Sequence, residues 1–478
     1  MEVESCIEKL KKIIEREINK GNYEIALVAA RIIASIYYEY NQIYTDAGLE
    51  GNLLKVRDKV LLLEEYAADR TCVFFYDGFG LDLRGWAASY VRAITKLGYH
   101  LIYACPVRMK DRIPHILSEM NTHSSTIIYF DDSSAYVERA KLIDSIFKKY
   151  TPGTAFFYTT PYDVSAAIAF SNNPSTTRIQ VDLTDHAFWV GVNAFDYTLE
   201  CREMGASLAH YYRGIDLDKI IKIDCAPYII DEPCNEPLPF DIYEENYIFT
   251  GGALYKTLGD KNLLYYKTIS HILKKFANIK FLYAGSGDSS EIDKLKDLFP
   301  DRVFLIGERS DFFDLMKHCI LYINSYPMFG GLMMRYAAIA GKVPITLKHG
   351  NDSDGILINQ DKLGIEFEKY QDYINEIDLL LSDSSYRARK EKMLKCSVYD
   401  EELFTSELGK VIKENKSSYH FDEINKLDTT EFRNEYKRRY KKRDLYKSIA
   451  SKKNLRAVIY FPKEFILGLL IKIKEKLL

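Results

Sequence analysis

Long apolar runs are missing from this chain: no stretch approaches the roughly 20 residues needed to cross a bilayer. The opening MEVESCIEKLKKIIEREINKG is patterned as a charged amphipathic helix and not as a secretory leader, so a cytoplasmic protein is expected. Cysteine is sparse and scattered. Cys6, Cys72, Cys105, Cys201, Cys225, Cys234, Cys319 and Cys396 form no CxxC pair and no compact group with histidine, which points away from a zinc site or a disulfide framework. Charge of one sign is also wanting, because 65 Lys and Arg against 68 Asp and Glu leave a net charge of −3. A protein that coats nucleic acid is therefore not expected. Apolar residues make up 47% and aromatic ones 13% of 478 residues, enough to fill roughly two to four structural units.

Three helix-period segments and no strand signal occupy residues 1–68, a helical N-terminal extension. From TCVFFYDGF at 71 the texture changes to apolar strands alternating with helices: YHLIYAC, STIIYFDD, GTAFFYTTP and TRIQVDLTDH follow in turn. This spacing implies a doubly wound parallel sheet over 69–235. The proline-rich APYIIDEPCNEPLPF, 226–240, reads as a linker. Alternation then restarts with NYIFTGGAL, NIKFLYAGSGD, DRVFLIGERSD, CILYINSYP and KVPITLKHG, defining a second α/β domain over 236–395. The expected fold class is α/β with two tandem Rossmann-like domains, and the default site is the cleft between them. Residues 396–478 read as further helices and a basic amphipathic tail.

The stretch NSYPMFGGLMMRYAAIAGKVPI, 324–345, places paired glycines between a strand end and a helix running to Gly341. A helix start offers unpaired amides and partial positive charge, and glycine allows close approach, so this stretch suits an anion, most commonly phosphate. Gly251, Gly252, Lys256 and Lys261 follow a strand in one loop, Gly285 and Gly287 of AGSGD follow the next, and Gly307, Glu308 and Arg309 a third.

In order and spacing these elements resemble the nucleotide-binding half of GT-B glycosyltransferases, over about residues 71–390. The resemblance implies a nucleoside-diphosphate sugar held by the second domain and an acceptor entering from the first. Lys256 and Lys261 then either reach the phosphates or are ordinary solvated loop residues. Gly307, Glu308 and Arg309 stand where related enzymes hold the nucleobase. Many retaining members carry two glutamates eight positions apart, where this chain has Met328 and Tyr336, so the anomeric outcome is left open. The glycine loop is also similar to that of O-GlcNAc transferases, which implies that the amides of Gly330, Gly331 and Leu332 hold the diphosphate.

In the first domain, VDLTDHAFWVG puts Asp185 and His186 after a strand. Histidine is suited to proton exchange near neutral pH, and the carboxylate can orient it. Asp77, Gly78 and Gly80 of YDGFGLDLRGW occupy the first strand-to-helix loop, on the expected acceptor side. Asp131/Asp132 end a strand as an adjacent pair, and Asp352/Asp354, with one residue between, share the spacing of a metal-binding DxD, but lysines and helix amides can neutralise a diphosphate. No metal and no cofactor are expected.

Residues 437–478 hold fourteen Lys and Arg against three Asp and Glu, next to FILGLLIKI. That combination suits an anionic membrane surface or a protein partner. The function expected is transfer of a hexose-type sugar from a nucleotide sugar to a hydroxyl of a glycan or lipid-linked acceptor, in cell-surface polysaccharide assembly, by a cytoplasmic and peripherally membrane-bound enzyme. The alternatives are a sugar-nucleotide epimerase and a non-catalytic partner subunit that docks through residues 1–68.

Overall fold

The computed structural model describes residues 2–80, 86–112, 114–121, 125–224, 226–229, 234–349, 355–421, 424–450 and 458–477. Asp352 and Asp354 of the candidate metal pair and Cys225 lie outside them. The chain forms two compact units, Met1–Ile223 with Thr405–Leu478, and Asp224–Phe404.

The first unit is built on seven parallel strands: β1 (Asp69–Asp77), β2 (His100–Pro106), β3 (Ser125–Phe130), β4 (Pro152–Tyr158), β5 (Thr177–Val181), β6 (Tyr197–Glu200) and β7 (Ile220–Lys222). Their order is β3-β2-β1-β4-β5-β6-β7. Central strands of such a sheet are covered on both faces and so read as unbroken apolar runs. Cys72–Asp77 at the end of β1 is buried throughout. Phe74 meets Phe147 and Phe170 on one face, with ring centroids 5.0 and 5.8 Å away, and Phe75 meets Tyr90 and Phe156 on the other at 5.6 and 6.0 Å.

Helices from both ends of the chain complete this core. Helix Tyr23–Tyr40 buries twelve of its 18 residues. Its Ile32 and Ile33 share one hydrophobic cluster with Phe74 and Phe170, and with Leu445, Ile449, Phe461 and Phe465 of the C-terminal helices. Polar contacts fix the arrangement. Glu24 accepts from the amides of Tyr136 and Val137 at 3.0 and 2.9 Å, capping the sheet's helix Tyr136–Tyr150. Gln42 donates to the Arg433 carbonyl at 2.8 Å and Lys9 to that of Tyr460 at 2.8 Å. The N-terminal helices and the basic C-terminal segment thus pack into the first unit's core, where the sequence reads as a helical extension and a basic tail flanking the two α/β domains.

The second unit has six parallel strands: β8 (Tyr247–Gly251), β9 (Lys280–Ala284), β10 (Val303–Ile306), β11 (Leu321–Ile323), β12 (Pro344–Leu347) and β13 (Glu366–Phe367). Their order is β10-β9-β8-β11-β12-β13. Both sheets therefore reverse direction of winding beside their first strand, between β1 and β4 and between β8 and β11. Loops at the carboxyl ends of those pairs diverge and leave room for a ligand. The proline-rich segment is not a free linker: Ile229, Leu238 and Phe240 join the second unit's apolar cluster, and Tyr336 donates to the Tyr228 carbonyl at 2.7 Å.

Helix Pro462–Leu477 crosses helix Lys442–Ile449 at Gly468, where an added Cβ would overlap the Tyr446 carbonyl oxygen and the Ala450 methyl. Gly468→Val is expected to force the two helices apart, at an overpacking cost of about 1–3 kcal/mol. Lower Tm and faster proteolysis at the C-terminus would register it; unchanged unfolding would show that this crossing does not hold the helix.

Candidate functional site

In the second unit the glycine loops converge at the β8/β11 reversal. A Cβ on Gly285 would overlap the carbonyl oxygen of Gly252, so the loops after β8 and β9 touch backbone to backbone. The Gly252 amide donates to Ala284 O at 2.9 Å and that of Leu254 to Ser286 O at 3.0 Å. Gly252 and Gly287 sit at φ +135° and +134°, a conformation that side chains disfavour. Gly251 is buried against the Met333 side chain, which brings helix Gly331–Ile339 over the end of β8.

That helix starts without a side-chain cap. Among the described residues the amides of Gly331 and Leu332 have no acceptor, so two donors and the positive end of the helix dipole remain available. The Gly330 amide is not available: it donates to Asn324 Oδ1 at 2.9 Å, a correction to the expectation that it holds phosphate. Asn324 thereby fixes the loop between β11 and the helix. The helix ends at Ile339 and Gly341, at φ +72°, terminates it.

Lys256 lies in the 3-10 turn Leu254–Thr257, whose backbone accepts from the Met328 amide at 3.2 Å. Lys261 is exposed, and its ammonium has no partner among the described residues. Gly307 and Glu308 are exposed after β10, with Glu308 accepting from Ser286 at 3.1 Å. Arg309 is instead structural. It is buried in a bidentate pair with Asp311, both contacts 2.8 Å, and donates to the Glu236 carbonyl at 2.9 Å.

In the first unit His186 is partly exposed after β5, its Nδ1 3.4 Å from Asp185 Oδ1. Asp185 answers mainly to Arg202, whose Nε and Nη2 lie 2.6 and 2.8 Å away. Burial works to raise its pKa, but the Arg202 guanidinium and His186 outweigh burial and hold the carboxyl well below the usual range. So Asp185 is a fixed anion that His186 leans on, not a dedicated orienting partner. The N-terminal helices supply the other supports: Asn41 donates to the His186 carbonyl at 3.1 Å, and the Gly191 amide donates to Glu50 at 2.8 Å. Sequence reading had no signal for these, because the partners are about 145 and 141 positions apart.

Asp77 does not line an open mouth. It is fully buried and accepts from the Gly80 amide and the Tyr103 hydroxyl, both at 2.6 Å. Gly80, at φ +59°, packs on Met109, and Gly78 lies tight against Thr159, joining the loops after β1 and β4. No group of metal-ligating side chains occurs among the described residues.

Behind His186 lie two further buried carboxyls that sequence reading passed over. Asp182 accepts from Trp189 Nε1 and the Thr184 amide, each at 3.0 Å. Glu200 accepts from Thr198 at 3.0 Å, while its Oε2 has no partner. Burial, then the neighbouring Asp182 and Asp185, push the Glu200 carboxyl well above its ordinary value. A group protonated in the folded state contributes stability that is lost as pH rises above about 4.5, its unfolded value, toward the folded one. Glu200→Gln removes this dependence. Its Tm is expected to gain on wild type as pH is raised from about 5 to about 8; parallel curves would place the Glu200 charge elsewhere.

No protein-family profile matches this chain, and no curated protein does. Solved structures do. A putative UDP-N-acetylglucosamine 2-epimerase from Listeria monocytogenes aligns with a TM-score of 0.54 at 12% identity, over 73% of this chain and 97% of that one. A glycosyltransferase from Rickettsia africae ESF-5 aligns at 0.52 and 14% identity, over 73% of this chain and 100% of its own. A mutant O-GlcNAc transferase from Thermobaculum terrenum aligns over 90% of this chain and 82% of its own, at 14% identity and TM-score 0.48. With two parallel sheets, each reversing beside its first strand, the chain has the two-domain GT-B fold of glycosyltransferases.

Proposed function

We propose that this protein is a glycosyltransferase that takes its sugar from a nucleoside diphosphate held by the second unit. The observation that carries the reading is the uncapped helix start at Gly331, seated at the β8/β11 reversal among loops whose backbones touch. Amides fixed there need no reorganisation to receive the charge that grows on a departing diphosphate, and Lys261 adds a mobile cation. His186 serves as proton acceptor or polar contact toward the acceptor hydroxyl. The acceptor is a glycan or lipid-linked glycan bound by the first unit.

Proline tests the amides directly, because position 331 is the first of the helix, where proline deletes an N–H yet preserves helical geometry. Gly331→Pro is expected to weaken binding of a nucleoside diphosphate about 10-fold relative to Gly331→Ala, and Lys261→Ala by about 10- to 100-fold. Calorimetry with UDP and a panel of nucleotide sugars, UDP-N-acetylglucosamine first, measures both. Failure of every nucleotide sugar to bind, hydrolyse or transfer would overturn the reading. Conversion of the nucleotide sugar without any acceptor would assign the chain to the epimerases, which share this fold.

Location follows from the last helix. Ile466, Leu470 and Ile473 are 56%, 57% and 54% exposed and recur at helical spacing, with Lys463 and Lys474 exposed beside them. No helix among the described residues is long and apolar enough to cross a membrane. We assign this stripe to shallow insertion in an anionic bilayer, where apolar burial and lysine attraction act together. Truncation would cut the first unit's core, so substitution is the test. Ile466→Ser, Leu470→Ser and Ile473→Ser combined should abolish sedimentation with phosphatidylserine vesicles while leaving Tm and UDP affinity unchanged. Equal sedimentation of the triple variant would refute the assignment.

A further inference from the structure

The β1/β4 reversal of the first unit holds a cavity of about 150 Å³, roughly ten times the ~15 Å³ that one water requires. Its walls come from six elements of the first unit. Gly78 follows β1, Asp132 follows β3, and Thr160, Tyr162 and Asp163 follow β4. Helix Tyr23–Tyr40 contributes Arg31, helix Tyr136–Tyr150 Arg139, and the turn Val107–Arg112 Arg108. Three guanidinium groups thus face two carboxylates, three minus two, a net charge of +1.

The carboxylates do not answer all of that charge. Asp163 is saturated by the scaffold: it accepts from Tyr76 at 2.7 Å, from the Ala166 amide at 3.1 Å, from Thr159 at 3.3 Å and from Arg139 Nη2 at 3.1 Å. Asp132 pairs with Arg108 at 2.9 Å. Arg139 is 5% exposed, gives Nη1 to the Asp132 carbonyl at 3.3 Å, and leaves its buried Nε with no acceptor. Arg31 sits over the Tyr162 ring, its Cζ 4.6 Å from the centroid, and no carboxylate forms an ion pair with it among the described residues. A guanidinium engaged with a ring and not with a carboxylate keeps N–H donors for an in-plane acceptor, and a carboxylate or phosphate matches them with two oxygens.

We infer that this cavity is a binding site for an oxyanion, a carboxylate or phosphate, carried by the sugar acceptor. The oxyanion site stands on the first unit's geometry alone; its acceptor role rests on the glycosyltransferase reading above. An uncharged acceptor would leave Arg31 unanswered and the buried Arg139 Nε without a partner, which selects against it.

Four probes of similar size or charge test this by calorimetry on the full chain: glucuronate, glucose 6-phosphate, neutral glucose and inorganic phosphate. Glucuronate or glucose 6-phosphate is expected to bind at least about 10-fold more tightly than glucose. Arg31→Gln should remove that preference, and Arg31→Lys should restore part of it. Arg31 is only half-buried, so an unchanged Tm would show that the fold survives these substitutions. Inorganic phosphate binding as tightly as glucose 6-phosphate would overturn the acceptor role. Equal binding of glucose and its charged relatives, or no binding by any probe, would overturn the oxyanion site and leave the cavity to water. UDP affinity, measured in parallel, reports on the second unit: UDP binding without probe binding sinks this inference alone, and probe binding without UDP binding sinks the nucleotide-sugar reading alone.

Discussion

The carboxyl edge of a parallel sheet is where strand backbones run out of partners, and both units are organised around closing that edge. Where the winding reverses, adjacent loops lead away in opposite directions, and the gap cannot be filled by the next crossover. The glycine-lined helix start and the arginine-lined cavity both follow from how the two gaps are lined. In the second unit β8 ends in glycine and β9 is followed by one, so the gap narrows until backbone touches backbone at Gly252 and Gly285. In the first unit the strands end in Asp77 and, just beyond β3 and β4, in Asp132 and Asp163, so side chains line the gap.

Side chains in such a place must be satisfied, and this explains the helices gathered on the first unit. Burying an ion without partners costs several kcal/mol, on the order of what holds a whole domain together. Arg139 and Asp163 are 5% and 7% exposed and hold each other, with Tyr76 and the Ala166 amide taking the remaining carboxylate positions. Arg202 does the same for Asp185. Helix Tyr23–Tyr40 roofs this apparatus, and its Glu24 caps the helix that carries Arg139. Asn41 and Glu50 then steady the loop bearing His186. An N-terminal segment that reads as an appendage is the element that lets charge be kept at the sheet edge.

Much of the fold was legible because parallel strands announce themselves. VFFY, LIYA and AFFY are buried on both faces and stand out as unbroken apolar runs, as do YIF and FLYA in the second unit. Strands β6, β7 and β13 escaped because YTLE, IIK and EF are short and each includes a charged residue, so none stands out as an unbroken apolar run. The helix start at Gly331 was legible from its glycines, but the use of the Gly330 amide by Asn324 was not, since any asparagine six positions upstream reads as one more loop residue. Arg309 and Asp77 looked available for ligands and are buried against their own loops. Asp182, Glu200, Arg31 and Arg139 went unnoticed because nothing in a sequence shows which distant charges will meet.

The two edges differ in what each can recognise. Amides at a helix start are fixed dipoles that select a tetrahedral anion by shape and are blind to pH. That is the requirement for a leaving group common to many reactions, a diphosphate. Guanidinium groups held by carboxylates and aromatic rings select by charge and by the number of oxygens presented, and a single substitution retunes them. That is the requirement for the substrate that distinguishes one transferase from another. On the reading proposed above, one fold used twice divides the work by the composition of its strand ends: glycine where the ligand is generic, arginine and aspartate where it must be told apart.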